Sequence, residues 1–311
     1  MVLHHNQEID PGGWIYFNYK LHLPIIIRFD MLDTNTYFSY LNNFLILDKI
    51  VQEKIEKNID SIKQKIWGIF QDDLYEIKVF GSFGHDLFIA QDKEAALDIL
   101  VVFKSKELNI PSILTQIKNC SEEYFTGSNI ITRQRSITIE IENLKFDIVP
   151  AIFVTKDAVK IPAPGIRELK WILSKPSLIQ DNINLKDNTN KGLIKPLIRI
   201  MKYWNTLHLK PFASYELEMQ IANKEYDRNG TLRDYFYDAA LSLKDIVKTE
   251  KQKVFVSEIK ERIRRLRVLE SYNIPEYIEV ELSIILPTDL QKRERPTTVI
   301  PTKRSGLLLK N

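Results

Sequence analysis

Cysteine is almost missing from this 311-residue chain: Cys120 stands alone. That excludes an internal disulfide framework and fits a reducing compartment, so a cytoplasmic location is expected. Histidine is scarce as well, with five scattered residues, which leaves zinc few ligands to draw on. A metal here is expected to be hard, magnesium-like and held by carboxylates. Long apolar runs are also lacking. None approaches the roughly 18 residues of a membrane span, and the longest candidate, "LPIIIRF", is broken by Arg28. No membrane partner is therefore expected. Nor is there an excess of one charge. A net +3 is too small by itself to imply nucleic acid, although a local basic face stays open. The first 30 residues lack the charged, apolar and small-residue order of a signal peptide. They show no clear period either, so residues 1–30 read as an appendage, or as an upstream start before Met31.

What is present is an ordinary globular composition, long enough for a sizeable core. Apolar residues recur at threes and fours from Leu45 and Leu47 through Ile50, Val51, Ile55, Ile59 and Ile62 to Ile66. That spacing predicts a long amphipathic helix within residues 34–70. "IKVFGS" reads as a short strand entering a tight turn, and "ALDILVVF" as a buried strand. "IPSILTQIKNCSEEYF" is helical after a proline start. "SITIEIENLKFDIVPAIF" reads as a hairpin turning near Glu142-Asn143, its first arm alternating Ile137, Ile139 and Ile141. "KIPAPGIRELKWILSKPSL" reads as a loop and short helix, and helices dominate from "NKGLIKPLIRIMKYWNTLH" onward. These patterns place a mixed α/β segment over 31–190, a helical one over 191–286, and a basic, proline-containing, mobile tail over 287–311.

Two strands spend a carboxylate among apolar residues: Asp98 in "ALDILVVF" and Asp147 in "KFDIVPAIF". A buried, unpaired charge costs roughly several kcal/mol, so each aspartate must be paired, protonated or metal-bound. Taken singly, pairing with a nearby lysine such as Lys145 accounts for either one. Together at one sheet rim they suit magnesium, which takes one or two protein carboxylates plus phosphate oxygens. The upstream Gly81-Ser82 pair strengthens that reading, because glycine lets a phosphate approach the backbone and serine can donate to it.

Strand, "GS", spacer, aspartate strand and a further aspartate on a later strand resemble the DNA-polymerase-β-type nucleotidyltransferases. More narrowly, the chain is similar to the bacterial cGAS/DncV-like enzymes (CD-NTases), which make cyclic di- and trinucleotide signals in CBASS anti-phage defence. The supporting segments are "GSFGHDLF…LDILVVF", "SITIEIENLKFDIVPAIF", "IPAPGIRELKWILSKPSLIQDNIN", "NKGLIKPLIRIMKYWN" and "PFASYELEMQIAN", in the family's order. The resemblance implies an α+β fold: a mixed sheet flanked by helices, then a helical half, with the active site in the cleft between them. It implies that Gly81 and Ser82 hold the triphosphate. Asp98 would be the second aspartate of an Asp-x-Asp pair, and Asp147 the third carboxylate, which deprotonates the attacking ribose hydroxyl. Lys202 would reach the donor phosphates, Ser214 would touch phosphate, and Tyr215 would stack on the base. The implied cofactor is magnesium, or manganese in its place, bound by Asp98 and Asp147. The implied partners are ATP or other NTP substrates and a downstream effector protein activated by the cyclic nucleotide, with no stable nucleic-acid partner.

One position departs from the pattern. Ala96 stands where the first aspartate of the pair is expected, and Glu94, on the same strand parity, would need its longer side chain to substitute. Two-metal phosphoryl transfer depends on such bridging carboxylates, so this copy is expected to be catalytically impaired while nucleotide binding survives. The chain carries either an introduced aspartate-to-alanine change or a natural loss; the intact remainder of the site favours an introduced or recent one. Two alternatives remain: a nucleotide-binding pseudo-enzyme whose partner reads its occupied state, and an RNA-end nucleotidyltransferase. The latter needs a basic acceptor track, for which the "KERIRRLR" segment, Lys260 to Arg267, is the candidate.

Overall fold

The computed structural model describes residues 33–104, 107–163 and 170–287, together with two short strands near the start of the chain. The expectations for residues 1–30 and for the tail beyond Pro287 thus lie outside the described residues, apart from those strands. The chain forms two compact units, 1–32 and 33–311. The first contains β1 (Glu8–Ile9) and β2 (Ile15–Tyr16), paired antiparallel.

In the second unit the expected long helix is two helices, α1 (Thr34–Leu45) and α2 (Lys49–Phe70). The reason is local. Ile46 is extended, and the Asp48 side chain accepts from the Ile50 amide, capping a new N-terminus inside the apolar period. The break matters because the two helices serve different cores. Tyr37, Phe38, Leu41 and Leu45 of α1 pack with the later helices, whereas Ile55, Ile59, Ile62 and Ile66 of α2 pack on the sheet.

Next come β3 (Leu74–Phe80), the single turn α3 (Gly81–Gly84), β4 (Ala96–Phe103) and α4 (Ile110–Tyr124), then β5 (Asn129–Thr132), β6 (Ile137–Ile141) and β7 (Leu144–Thr155). The β6–β7 hairpin turns at Glu142 and Asn143, both with positive φ (51° and 67°), the geometry that suits a two-residue turn between twisted strands. The chain continues through β8 (Ala158–Pro162) and β9 (Trp171–Ser174). Here "KWILS" is a strand rather than a helix. Its apolar run is too short for a helical period, and Trp171–Ser174 pair antiparallel with β8. The sheet order is β3-β4-β7-β6-β5, with β8 on β7 and β9 on β8. Only β4 and β7 run parallel, so the sheet is mixed.

Alternation along β4 and β7 sorts the two faces. Leu97, Ile99, Val101, Phe103, Phe146 and Ile148 bury against α2 and α4. Asp98 and Asp147 therefore fall on the opposite face, above Leu100, Val102, Val149 and Ala151.

The helices that follow are α5 (Pro176–Thr189), α6 (Ile194–Leu207), α7 (Ser214–Asn223), α8 (Leu232–Ser242), α9 (Glu250–Ser271) and α10 (Pro275–Ile285). With α1 they share one core around Trp204, Phe212, Tyr235 and Phe236. Arg199 of α6 ties this bundle to the site, donating to the Asp86 carbonyl and to Asn42 of α1, both at 2.9 Å. No described helix is long and apolar enough to cross a membrane.

Candidate functional site

The site forms where β3 hands over to α3 and meets the heads of β4 and β7. Phe80, the last residue of β3, is in register with Asp98, so the Gly81-Ser82 turn sits directly over that carboxylate. Gly81 has φ +66°, and a Cβ there would lie 2.3 Å from Asp98 Oδ2. Both the backbone and the carboxylate thus demand glycine. Gly81→Ala is expected to cost about 1–3 kcal/mol through backbone strain and displacement of Asp98. Urea unfolding would measure it.

Asp98 and Asp147 are direct register partners across the parallel pair, and Ala96 is the partner of Lys145. All four positions lie on one face, because registered and alternate residues share a side. Burial pushes the Asp98 carboxyl up, and the neighbouring Asp147 adds to it, to about 7. Between its ordinary value of 3.8 and about 7 the folded chain holds a proton that the unfolded chain has released. Stability therefore falls as pH rises through that window. Asp98→Asn is expected to flatten this slope, read from urea unfolding at about pH 5 and about pH 8 in chelator.

Asp147 accepts a short hydrogen bond from Thr138, its register partner on β6. Arg133 donates through Nε to Thr138 Oγ1 at 2.7 Å and lies 3.9 Å from Asp147 Oδ1. Arg135, on the same β5–β6 turn, is near enough to pull the Asp98 carboxyl downward. Neither arginine was singled out in the sequence: alternation identifies strand faces, but not what a turn leans over.

Lys145 does not pair with either aspartate. It donates to Glu94 at 2.7 Å and holds that exposed carboxyl below its usual range. Glu94 is thereby engaged outside the strand. Among the described residues no group of three or more His, Cys, Asp or Glu side chains is placed to hold a metal. Asp98 and Asp147, two carboxylates in register on the face below the Gly81-Ser82 turn, fit the one or two protein ligands with which a magnesium-like cation is bound when phosphate oxygens complete its shell. Ala96, two residues before Asp98 on the same face, adds no carboxylate to that pair.

Behind Ser82 lies a network with a member the sequence did not reveal. Lys202 of α6 donates to Ser82 Oγ (2.5 Å), to the Leu87 carbonyl (3.0 Å) and to Glu218 Oε1 (3.0 Å). The Lys202 and Glu218 side chains are only 7% and 8% exposed. Glu218 lies on α7, one turn beyond Ser214, and its signal was a carboxylate amid the apolar periodicity of "SYELEMQIAN". Ser214 and Tyr215 open α7 and are exposed, Tyr215 at 56%. They are carried by the same helix as Glu218 but lie outside its hydrogen-bond network. Tyr215 also lines a cavity of about 370 Å³ with Met219, Gln220 and Lys248.

The arrangement offers a glycine-led turn over a pair of carboxylates in register, with an exposed aromatic ring on the helix that carries Glu218. Solved structures share the fold. The Bradyrhizobium diazoefficiens CD-NTase CdnG, in complex with GTP, superposes with a TM-score of 0.67 at 12% identity, over 84% of this chain and 97% of its own. Escherichia coli MS115-1 CdnC with ATP gives 0.64 at 12%, over 82% and 98%. The Vibrio cholerae DncV cyclic AMP-GMP synthase, with nonhydrolyzable GTP, gives 0.57 at 14%, over 81% and 85%. No curated protein matches the chain in sequence. Residues 31–187 do match the Second Messenger Oligonucleotide or Dinucleotide Synthetase domain. That stretch is half of the chain and holds Gly81-Ser82, Asp98 and Asp147, and by it the chain belongs to the second messenger oligonucleotide or dinucleotide synthetases, the CD-NTases.

Proposed function

We propose that this chain is a divalent-cation-dependent nucleotidyltransferase that joins NTPs into a cyclic di- or trinucleotide messenger, impaired in this copy by Ala96. The observation that carries the reading is the register pair Asp98–Asp147 directly beneath the Gly81-Ser82 turn. In this reading the turn holds the donor triphosphate and the exposed ring of Tyr215 stacks on a base, a contact of about 1–3 kcal/mol. Ser214, near the same helix end, is a further phosphate contact. Asp147, kept in place by Thr138, accepts the proton of the attacking ribose hydroxyl. Magnesium or manganese, held by Asp98 and Asp147, would neutralise charge on the triphosphate and the leaving pyrophosphate. The product would act in the cytoplasm on an effector protein in anti-phage signalling.

Calorimetric titration of the native chain with nonhydrolysable ATP and GTP tests the reading. Binding should require magnesium and weaken in Ser82→Ala and Asp147→Asn. A folded chain that binds neither nucleotide would refute it.

A second reading, a nucleotide-binding pseudo-enzyme, is favoured by one observation: Ala96 removes a ligand while every other site residue is retained. The RNA-end reading has less support. On α9, Arg262 pairs with Glu258 and Glu281, Arg264 and Arg265 with Glu261, and Arg267 with Asp238. These arginines thus each have a carboxylate partner, which leaves less free positive charge for an acceptor strand.

A further inference from the structure

We propose that Lys210 and Asp92 are positioning residues: their bridge fixes the spacing between the helical half, which carries Tyr215, and the sheet half, which carries the Gly81-Ser82 turn. The inference deepens the nucleotide-binding reading given above and rests on it. It starts from the turn between α6 and α7. Leu209 and Lys210 both take left-handed backbone there, at φ 60° and 49°, a conformation that side chains with a Cβ rarely adopt. Burial of Leu209 does not offset the strain, because that residue is 80% exposed. Hydrogen bonds hold the turn instead. The Lys210 amide donates to the Asn205 carbonyl at 2.8 Å, and the Asn205 side chain engages both the amide and the carbonyl of Phe212. Strain kept in place by its surroundings points to a use for the geometry. Here it brings Lys210 Nζ to 2.7 Å from Asp92 Oδ1, on a side chain only 9% exposed.

Asp92 lies in the loop that carries the chain from Leu87 into β4. The loop is tied within itself: the Ala95 amide donates to the Asp92 carbonyl at 3.0 Å, and the Glu94 amide donates to Asp92 Oδ1 at 3.1 Å. Glu94 is in turn paired with Lys145 of β7. The loop is thus a strap beside Ala96, with Asp92 bound to the helical half and Glu94 to the sheet. Gln91 adds a bond to the Phe44 carbonyl of α1 at 2.8 Å. Gln180, Lys195, Arg199 and Lys202 grip the other side of the loop, at Gly84, Asp86, Ser82 and Leu87. In the proposed reading one nucleotide spans both halves, its triphosphate on Gly81-Ser82 and its base on Tyr215, at the head of the helix that this turn enters. The two contacts reinforce each other only when the spacing lets both engage at once. A spacing set in advance also lowers the ordering cost of binding.

Calorimetric titration with a nonhydrolysable ATP analogue and with inorganic tripolyphosphate, each in magnesium, tests this. The analogue needs both halves and tripolyphosphate only one. Lys210→Met with Asp92→Asn removes the bridge without stranding a buried charge. The pair variant should lose about tenfold or more in affinity for the analogue and less than about twofold for tripolyphosphate. Lys210→Arg, which keeps the bridge, should bind both as the native chain does. Unchanged affinity for the analogue in the pair variant, or equal losses for the two ligands, would overturn the inference. So would a loss in Lys210→Arg as large as in the pair variant, since the lysine itself would then be the contact. Should the pair variant not fold, Lys210→Gln breaks the ion pair while leaving Asp92 a hydrogen-bond donor, and the same results decide. A native chain that binds neither ligand would instead strike the nucleotide reading.

Discussion

Ala96→Asp is expected to raise product formation from NTPs and magnesium by about three decades or more. Ala96 shares the face and the strand of Asp98, two residues away, and its register neighbour Lys145 stands two residues before Asp147 on β7. A carboxylate there would join the row formed by Asp98 and Asp147 and restore the bridge on which two-cation transfer depends. Several kcal/mol of transition-state stabilisation correspond to about three decades or more in rate. The same change has a cost without metal. Asp98 already has its carboxyl raised to about 7 by burial and by Asp147, and a third carboxylate adds repulsion. The variant should melt below the native chain in chelator and recover with magnesium, measured by thermal scans in both conditions. The new carboxylate can also compete with Glu94 for Lys145, which limits the loss. A folded variant that binds NTPs but makes no product would favour the pseudo-enzyme. Extension only when RNA is added would favour the RNA-end transferase.

Lys202→Met alone should destabilise the protein by about 3–5 kcal/mol, the usual result of breaking a buried ion pair by removing one partner. Glu218 would be left without its counter-charge at 6% exposure, and Ser82 and the Leu87 carbonyl would lose a donor. Three separate pieces of chain meet at this ammonium: α6, α7 and the segment from Ser82 to Leu87. The cost is thus one of tertiary assembly rather than helix propensity. Urea unfolding measures it, and most of the loss should return when Glu218→Leu is added. An unchanged midpoint in the single variant would mean that the ion pair adds nothing to stability.

The strand aspartates were legible because alternation and burial are written into local sequence. A carboxylate at position 98 or 147, with Leu97, Ile99, Phe146 and Ile148 beside it, states its own anomaly. The hairpin turn at Glu142-Asn143 was legible for the same reason, since its two arms pair locally. The division of residues 34–70 into two helices was not. Asp48 interrupts the period by a single capping residue, and only tertiary packing reveals that α1 and α2 belong to different cores. Glu218 was hidden because its partner, Lys202, is 16 residues away on another helix, a separation no periodicity encodes. Arg133 and Arg135 were hidden similarly: Arg133 comes within 3.9 Å of Asp147 only because β6 pairs with β7 and brings the β5–β6 turn beside it. Strand "KWILS" was misread because four apolar-rich residues without a period suit either structure until a neighbouring strand pairs with them.

In the proposed reading Ala96 stands where a nucleotide-joining site would carry a further carboxylate. Mass spectrometry of phosphatase-treated reactions of Ala96→Asp with the four NTPs, magnesium and no acceptor tests it most directly. The reading predicts a phosphatase-resistant mass of a cyclic di- or trinucleotide, absent or about three decades weaker with the native chain. Equal yields from both proteins, or no cyclic product from a variant that binds NTPs, would contradict it.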